Sequence, residues 1–544
     1  MRIKPVNHRN STFGLWIISL AVCSATFTTA TSASPPSWVA PPPSFANPER
    51  REQLAVAFPE IDEQVRAFLA REKVPGAAWG VVIDGQLVHV GVAGLRDVAS
   101  QAPVQRDTVF RIASMTKSFT AIAILQLRDA GKLSLDDPVE KYLPELRSLV
   151  YPTSDAPRIT LRHLLTMSAG FPEDNPWGDQ QLAISESRFN ELLREGIAFS
   201  NSPGMAYEYS NYGYAILGRV VANVSGLGYG EYVRQKILKP LGMRSTTLEP
   251  SEVSSNQLAL GYRREDDMWK LEPQLADGAF GPMGGMLTSL EDLSRYVGVF
   301  LDAWPARDGS SRSPLSRSSL REMQQIWRAR PTTVTRDSTG AIQLTSGGYG
   351  YGLRISQTCD FGHMVAHSGG LPGFGSQMRW LPEYGVGLIA FGNRTYTGWG
   401  AVFDEALMSL RRTGALTPRQ VQPAPALVEA RRGVNALMQR WDDASIERLA
   451  AMNLFLDRSK DRRRAELATL RDAVGSCRER PGFLYSENAL RGDWVLECER
   501  GLVQVSVTLA PTARPGIQHL ELRKWPLDAN VSAMTGLPPQ ACPR

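Results

Sequence analysis

The stretch Phe110-Arg111-Ile112-Ala113-Ser114-Met115-Thr116-Lys117-Ser118-Phe119-Thr120 reads as a sharp turn into a helix, with Ser114 at its mouth and Lys117 three residues on. Residues at i and i+3 share a helical face, so the hydroxyl and the ammonium can meet. A serine is a weak nucleophile until a base takes its proton. A lysine can act as that base only if its pKa, ordinarily about 10.4, is pushed down. Burial and the positive end of a helix dipole both push it down. Most Ser-x-x-Lys sequences at a helix start are an N-cap followed by a surface lysine. Here Phe119, Ala121, Ile122, Ala123, Ile124, Leu125 and Leu127 make the helix apolar nearly all round, the pattern of a helix buried on most sides. A lysine one turn into such a helix is costly unless it has a partner or a task.

Upstream, apolar spacing predicts a helix over 59–71, ended by Pro75-Gly76. Strands over 77–82 and 87–92 flank Asp84-Gly85, a hairpin turn signal. The Ser114 helix closes at Ala130-Gly131, where glycine suits the left-handed position after a helix. From 133 to 206 the chain reads as helical and loop-rich, with a helix capped by Thr160, then helices over 213–224, 229–238 and 292–301. The Ser-, Arg-, Gly- and Pro-rich stretch 304–318 reads as an exposed loop. Strand alternation returns at 352–357, 364–367, 376–381 and 386–393, before a helix over 401–411. Strands at both ends with helices between them predict one sheet built from distant segments, beside a helical insertion.

Two further motifs answer the first. Tyr209-Ser210-Asn211 lies on a loop just before a helix, and His367-Ser368-Gly369-Gly370 lies at the end of a predicted strand. Each alone is more often packing or a turn. Together with Ser114-x-x-Lys117 they resemble the serine β-lactamase and penicillin-binding protein superfamily, which carries Ser-x-x-Lys, then Tyr-x-Asn, then Lys-Thr-Gly or a His-x-Gly variant. The resemblance is greatest to the class C-like branch, with its esterases, D-amino-acid peptidases and DD-carboxypeptidases. It covers roughly 59–411, including Gly131-Lys132-Leu133-Ser134-Leu135-Asp136-Asp137-Pro138, Ile159-Thr160-Leu161-Arg162-His163-Leu164-Leu165-Thr166 and Gly284-Gly285-Met286.

That resemblance implies an α+β fold (an α/β sandwich): an antiparallel sheet flanked by helices, with a helical subdomain. It implies that Ser114 is acylated and that Lys117 and Tyr209 share the proton transfers, with the choice of base left open. Asn211 would position substrate and Lys117, and His367, Ser368, Gly369 and Gly370 would line the substrate strand. The oxyanion would sit between the backbone N–H groups of Ser114 and Gly370. No cofactor is expected. His363 and His367 are spaced like a zinc pair, but no Glu follows His363 and the segment reads as strand. No Gly-x-Ser-x-Gly elbow occurs, which disfavours the α/β-hydrolase alternative. Where many relatives carry a lysine for the substrate carboxylate, this chain has His367, only partly charged at neutral pH. That favours a peptidase, carboxypeptidase or esterase over a dedicated β-lactamase. A non-catalytic sensor of cell-wall peptides is the rival from outside the enzyme class.

At 544 residues, 43% hydrophobic and 21% charged, the chain has the composition of a globular protein of more than one domain. Arg2, Lys4 and Arg9 precede an apolar run over 13–25 that ends in small residues near Ala30 and Ala33, which predicts a signal peptide and export to the periplasm or medium. Val22 fits a lipoprotein box at Cys23 poorly. Losing those three cations lowers the net charge from +5 to +2, which gives no sign of a nucleic-acid surface. Substrate is therefore expected to be a small molecule or peptide, and no membrane span remains after cleavage. Four cysteines survive: Cys477 and Cys498 are the expected disulfide, while Cys359 and Cys542 could pair or stay free. The chain divides into a signal peptide (1–33), a proline-rich tether (34–50), the hydrolase-like domain (51–415), a linker (416–426) and an accessory α+β domain (427–544). Three helices (427–441, 446–452, 460–474) followed by curved antiparallel strands give the last an NTF2-like element order. Its many arginines read as a solvated helix surface.

Overall fold

A computed structural model describes residues 36–311, 313–336, 340 and 342–529. The expected signal peptide, Cys23 and Cys542 lie outside these residues. Among these residues nine strands form one antiparallel sheet: β1 (Gly76–Ile83), β2 (Gln86–Asp97), β3 (Ala102–Pro103), β4 (Arg328–Arg336), β5 (Ile342–Tyr349), β6 (Arg354–Thr358), β7 (Met364–Leu371), β8 (Phe374–Leu381) and β9 (Val386–Gly392). Their order is β3-β2-β1-β9-β8-β7-β6-β5-β4. The two distant segments meet where β1 pairs with β9, from Ala77 opposite Gly392 to Ile83 opposite Val386.

Every residue of β1 is buried, because helices cover both faces of the sheet. Successive side chains alternate sides. Ala78 and Val82 enter the larger core, whereas Ala77, Trp79, Val81 and Ile83 enter the smaller one. The smaller core lies under α1 (Phe58–Arg71) and α5 (Gly400–Arg412), which pack against each other. The larger holds α2 (Thr116–Asp129), α3 (Asn211–Ser225) and α4 (Leu290–Asp302) with the helical insertion. The fold is thus a helix–sheet–helix sandwich of the mixed α+β kind.

Three local features differ from the sequence expectation. The loop read over 304–318 runs into a short helix, Arg317–Met323. The helix read over 229–238 is α-helical only to Val233 and continues as a π-turn, Arg234–Leu238. Strands β4 and β5 had no counterpart in the reading: β4 is an exposed edge strand whose polar sequence carries no alternation of apolar residues.

Beyond the sandwich, α6 (Pro425–Gln439), a short helix (Asp443–Leu449) and α7 (Lys460–Val474) precede a five-stranded antiparallel sheet with its own core. Cys477 and Cys498 are bonded directly across two of its strands, 3.9 Å apart at Cα. Such a cross-link over about 20 residues contributes roughly 3 kcal/mol. Cys359 is also disulfide-bonded. The proline-rich segment does not hang free: the Phe45 ring lies against the guanidinium groups of Arg50 and Arg419, at 3.7 and 4.4 Å, and Ser44 bridges to Gln420. No helix among the described residues is long and apolar enough to cross a membrane.

Candidate active site

The turn that delivers Ser114 is unusual. Strand residues Phe110–Arg111 lead into a 3₁₀ turn, Ala113–Met115, and α2 follows at once. Ala113 has a φ of +48°, in the left-handed region that non-glycine residues rarely adopt. The Thr116 and Ser118 hydroxyls donate to the carbonyls of Ala113 and Met115 and tie the turn to the helix. Lys117 points inward and is wholly buried.

Three acceptors surround Lys117 Nζ: Ser114 Oγ at 3.0 Å, Asn211 Oδ1 at 2.6 Å and the Met283 carbonyl at 2.8 Å. An ammonium has three protons to donate, so each finds a partner. Burial is the largest influence on this group and lowers its pKa to about 7; Asp179 and Asp174 pull upward and Arg354 adds to the lowering. The Tyr209 ring lies 4.8 Å from Nζ, and its hydroxyl is near enough to the Ser114 side chain for the two to interact. Burial raises the Tyr209 pKa well above its ordinary value, so the phenol stays protonated. Ser114, Lys117, Tyr209 and Asn211 thus meet in one cluster.

Asn211 is the first residue of α3, and its backbone is gripped from the segment before it. Asp174 accepts from the backbone N–H groups of Asn211 (2.7 Å) and Tyr212 (2.8 Å), an anion set at a helix N-terminus. The Ser210 hydroxyl caps the same helix end. The Asn211 amide nitrogen donates to Asn175 Oδ1 at 3.1 Å and to Asp179 Oδ1 at 3.3 Å.

The strand motif is placed differently from expectation in one respect. β7 crosses directly over the Ser114 turn: a Cβ on Gly369 would overlap the Ile112 carbonyl oxygen, so only glycine allows this approach. β6 pairs with β7 only as far as Ala366, which leaves 367–371 as an open edge on that side, with Ser368 exposed. His367, however, is turned inward and only 1% exposed. Its Nδ1 lies 2.6 Å from the Ser368 carbonyl, which can only accept, so Nδ1 carries the proton and Nε2 accepts from the Tyr349 hydroxyl at 2.9 Å. Burial first, then Arg354 and Lys117, push its pKa well below the usual 6.5. Both imidazole nitrogens of His367 thus have partners, and burial favours its neutral form beneath the strand.

Among the described residues Arg354, on β6, is a cation at the site with no acidic partner. Its Cζ lies 5.6 Å from the Tyr209 ring centre, and its buried Nε has no hydrogen-bond partner. Among the described residues no carboxylate pairs with it. Arg354, Asp174, Asn175, Asp179 and Tyr349 were not singled out from sequence. The one local signal was Asp174-Asn175-Pro176, an acidic cap followed by proline at a helix start. No group of His, Cys, Asp and Glu among the described residues is arranged to hold a metal ion.

The sandwich and the Ser–Lys–Tyr–Asn cluster define a class that comparison with known proteins makes specific. A family model described as Beta-lactamase matches residues 61–412, and the chain belongs to that family. Membership supports a serine-hydrolase kind of function. Protein flp of Staphylococcus aureus (strain MW2) is 29% identical over 339 residues, covering 61% of this chain and 62% of that protein. Penicillin-binding protein 4* of Bacillus subtilis (strain 168) is 25% identical over 326 residues, covering 57% of this chain and 66% of its own length. The chain thus matches about three fifths of the length of flp. Among solved structures, the octameric penicillin-binding protein homologue from Pyrococcus abyssi shares the fold with a TM-score of 0.56 at 21% identity, over 86% of this chain and 96% of that one. The penicillin-binding protein from Bacillus halodurans does so with a TM-score of 0.50 at 23% identity, over 63% and 99%.

Proposed function

We propose that the protein is an exported serine hydrolase that cleaves an ester or peptide-like amide through an acyl-enzyme on Ser114, with a preference for substrates bearing a carboxylate. The observation that carries this reading is the Lys117 cluster. With its pKa lowered to about 7, much of the lysine is neutral at physiological pH. A neutral amine has two N–H bonds and one lone pair. Asn211 Oδ1 and the Met283 carbonyl take the two protons, and the lone pair faces the Ser114 hydroxyl at 3.0 Å. That arrangement favours Lys117 as the base and leaves the protonated Tyr209 to relay a proton.

Ser114 Oγ attacks the carbonyl carbon while its proton passes to Lys117 Nζ. The oxyanion sits between the backbone N–H groups of Ser114 and Gly370. Through Tyr209 the leaving nitrogen or oxygen receives a proton, the bond breaks, and water then releases the acyl group. Asn211 holds Lys117 and the substrate amide, and the open edge of β7 at Ser368 and Gly369 takes the substrate backbone.

Arg354 supports the carboxylate preference: it is a half-buried cation with no counter-ion among the described residues, beside the Tyr209 ring. Penicillin is an amide carrying a carboxylate, so this feature suits relatives named for binding it. Within the class, peptidase or carboxypeptidase activity is therefore favoured. The basic, apolar N-terminus and the Cys477–Cys498 disulfide support export. The test is labelling with a fluorophosphonate and a fluorescent penicillin. Labelling that disappears in Ser114→Ala is expected; folded protein that takes neither label would make the site a binding pocket rather than an enzyme.

A further inference from the structure

We propose that Asp179 is a positioning residue for the Ser114–Lys117 pair, acting through the Asn211 amide, and that Tyr396 clasps it there across the cleft. This rests on the hydrolase reading above. Lys117 as an ammonium can only donate, so the end of the Asn211 amide facing it must be Oδ1. What fixes that orientation lies at the other end of the amide. There Nδ2 meets Asn175 Oδ1 and Asp179 Oδ1, and an ionised carboxylate can only accept. A flipped amide would set oxygen against the carboxylate and N–H against the ammonium, two repulsive contacts at once.

Asp179 is 2% exposed, and its second oxygen accepts from the Tyr396 hydroxyl at 2.9 Å. The two come from opposite walls. Asp179 ends the short helix Asn175–Gly178 on the helical side, while Tyr396 belongs to the loop after β9 on the sheet side. Tyr396 has a φ of +53° and is 52% exposed, yet its ring is placed where a Cβ on Gly370 would lie 2.6 Å from it. A half-exposed tyrosine held in the left-handed region spends backbone strain that surface packing does not require. The return is a bridge from the strand beside Ser114 to the acid behind Asn211.

Charge gives Asp179 a second effect. The groups facing it are Lys117 from α2, Asp174 and Glu173 from the preceding turn, and Tyr396. Arg354 faces Lys117 from β6. As an anion Asp179 holds the lysine proton against the effect of burial, and so sets the pH at which the base becomes available.

The experiment measures the rate at which a fluorophosphonate phosphonylates Ser114, with loss of fluoride, from pH 5 to 10 in the full-length protein, Asp179→Asn and Tyr396→Phe. Asp179→Asn keeps the size and a partner for Tyr396 but loses the charge. Its rising limb is expected to move down by about one pH unit, with a plateau lowered about tenfold. Tyr396→Phe is expected to lower the plateau about threefold and to move the limb less. An Asp179 with only a structural role would lower the rate and leave the limb in place. A limb in Asp179→Asn that coincides with the wild type therefore overturns the proposal while the hydrolase reading stands. A wild type whose Ser114 does not react with the probe overturns both.

Discussion

Replacing Arg354 with glutamine should separate substrates by charge. The guanidinium sits 5.6 Å from the centre of the Tyr209 ring with a buried, unpartnered Nε, and among the described residues no acid neutralises it. A substrate carboxylate arriving about 4 Å away would gain roughly 4 kcal/mol at an effective dielectric of about 20. Its own desolvation returns part of that, leaving about 1.5–3 kcal/mol, typical of hydrogen bonds to charged groups. At about 1.4 kcal/mol per decade this is a loss of roughly 10- to 150-fold in kcat/KM. The assay pairs an N-acyl dipeptide ending in a free carboxylate with its C-terminal amide. Arg354→Gln should lose that factor on the acid and less than about threefold on the amide, and Arg354→Lys, which keeps the charge but not the fork, should fall between. Equal losses on both substrates would mean that Arg354 supports the site without reading the carboxylate. No loss on either would remove it from the site.

Four further outcomes follow from the structure. Acylation should rise with pH and level off above about 7, because only the neutral Lys117 amine can take the Ser114 proton; a rate profile against pH checks this. The same group links pH to stability with a definite sign: from about pH 7 to about 10.4 the unfolded chain holds a proton that the folded one lacks, so this contribution to stability grows as pH rises through that window, as denaturant melts at pH 7 and 9 would register. Gly369→Ala should abolish Ser114 labelling while unfolding stays cooperative, since a methyl group there overlaps the Ile112 carbonyl and lifts β7 off the nucleophile turn. Replacing both Cys477 and Cys498 with serine should cost roughly 3 kcal/mol in the C-terminal sheet without changing the acylation rate, seen by calorimetry and labelling of the same sample.

The parts of the site that could be read from sequence were those whose reason is local. The apolar residues around Lys117 announce its burial within one helix, and Ser114 stands next to it in the same turn. The sheet was legible at β1 and β9 because strands buried on both faces are continuous apolar runs. Arg354 and His367 were not legible, because what distinguishes them is a partner supplied from elsewhere. Burial holds His367 neutral, and Tyr349, which meets its second nitrogen, comes from β5, a strand paired with an edge strand of polar residues that carries no alternating pattern. Arg354 stands out because among the described residues no acid sits beside it, and a missing counter-ion leaves no mark on the sequence. The grip of Asp174, Asn175 and Asp179 on Asn211 joins residues about 35 positions apart through a segment with little regular structure.

The order of strands carries a consequence for how the molecule comes into being. β9, at 386–392, sits between β1 and β8, near the middle of the sheet. A ribosome that has released 385 residues has made eight of the nine strands but not the one that joins them. Until then the sheet has two halves that share no ladder, and β8, which backs the strand over the nucleophile turn, has no neighbour on its other side. The last strand added is the keystone, and assembly is postponed until most of the catalytic region has emerged. Such late, long-range closure slows folding and leaves the chain threadable for longer.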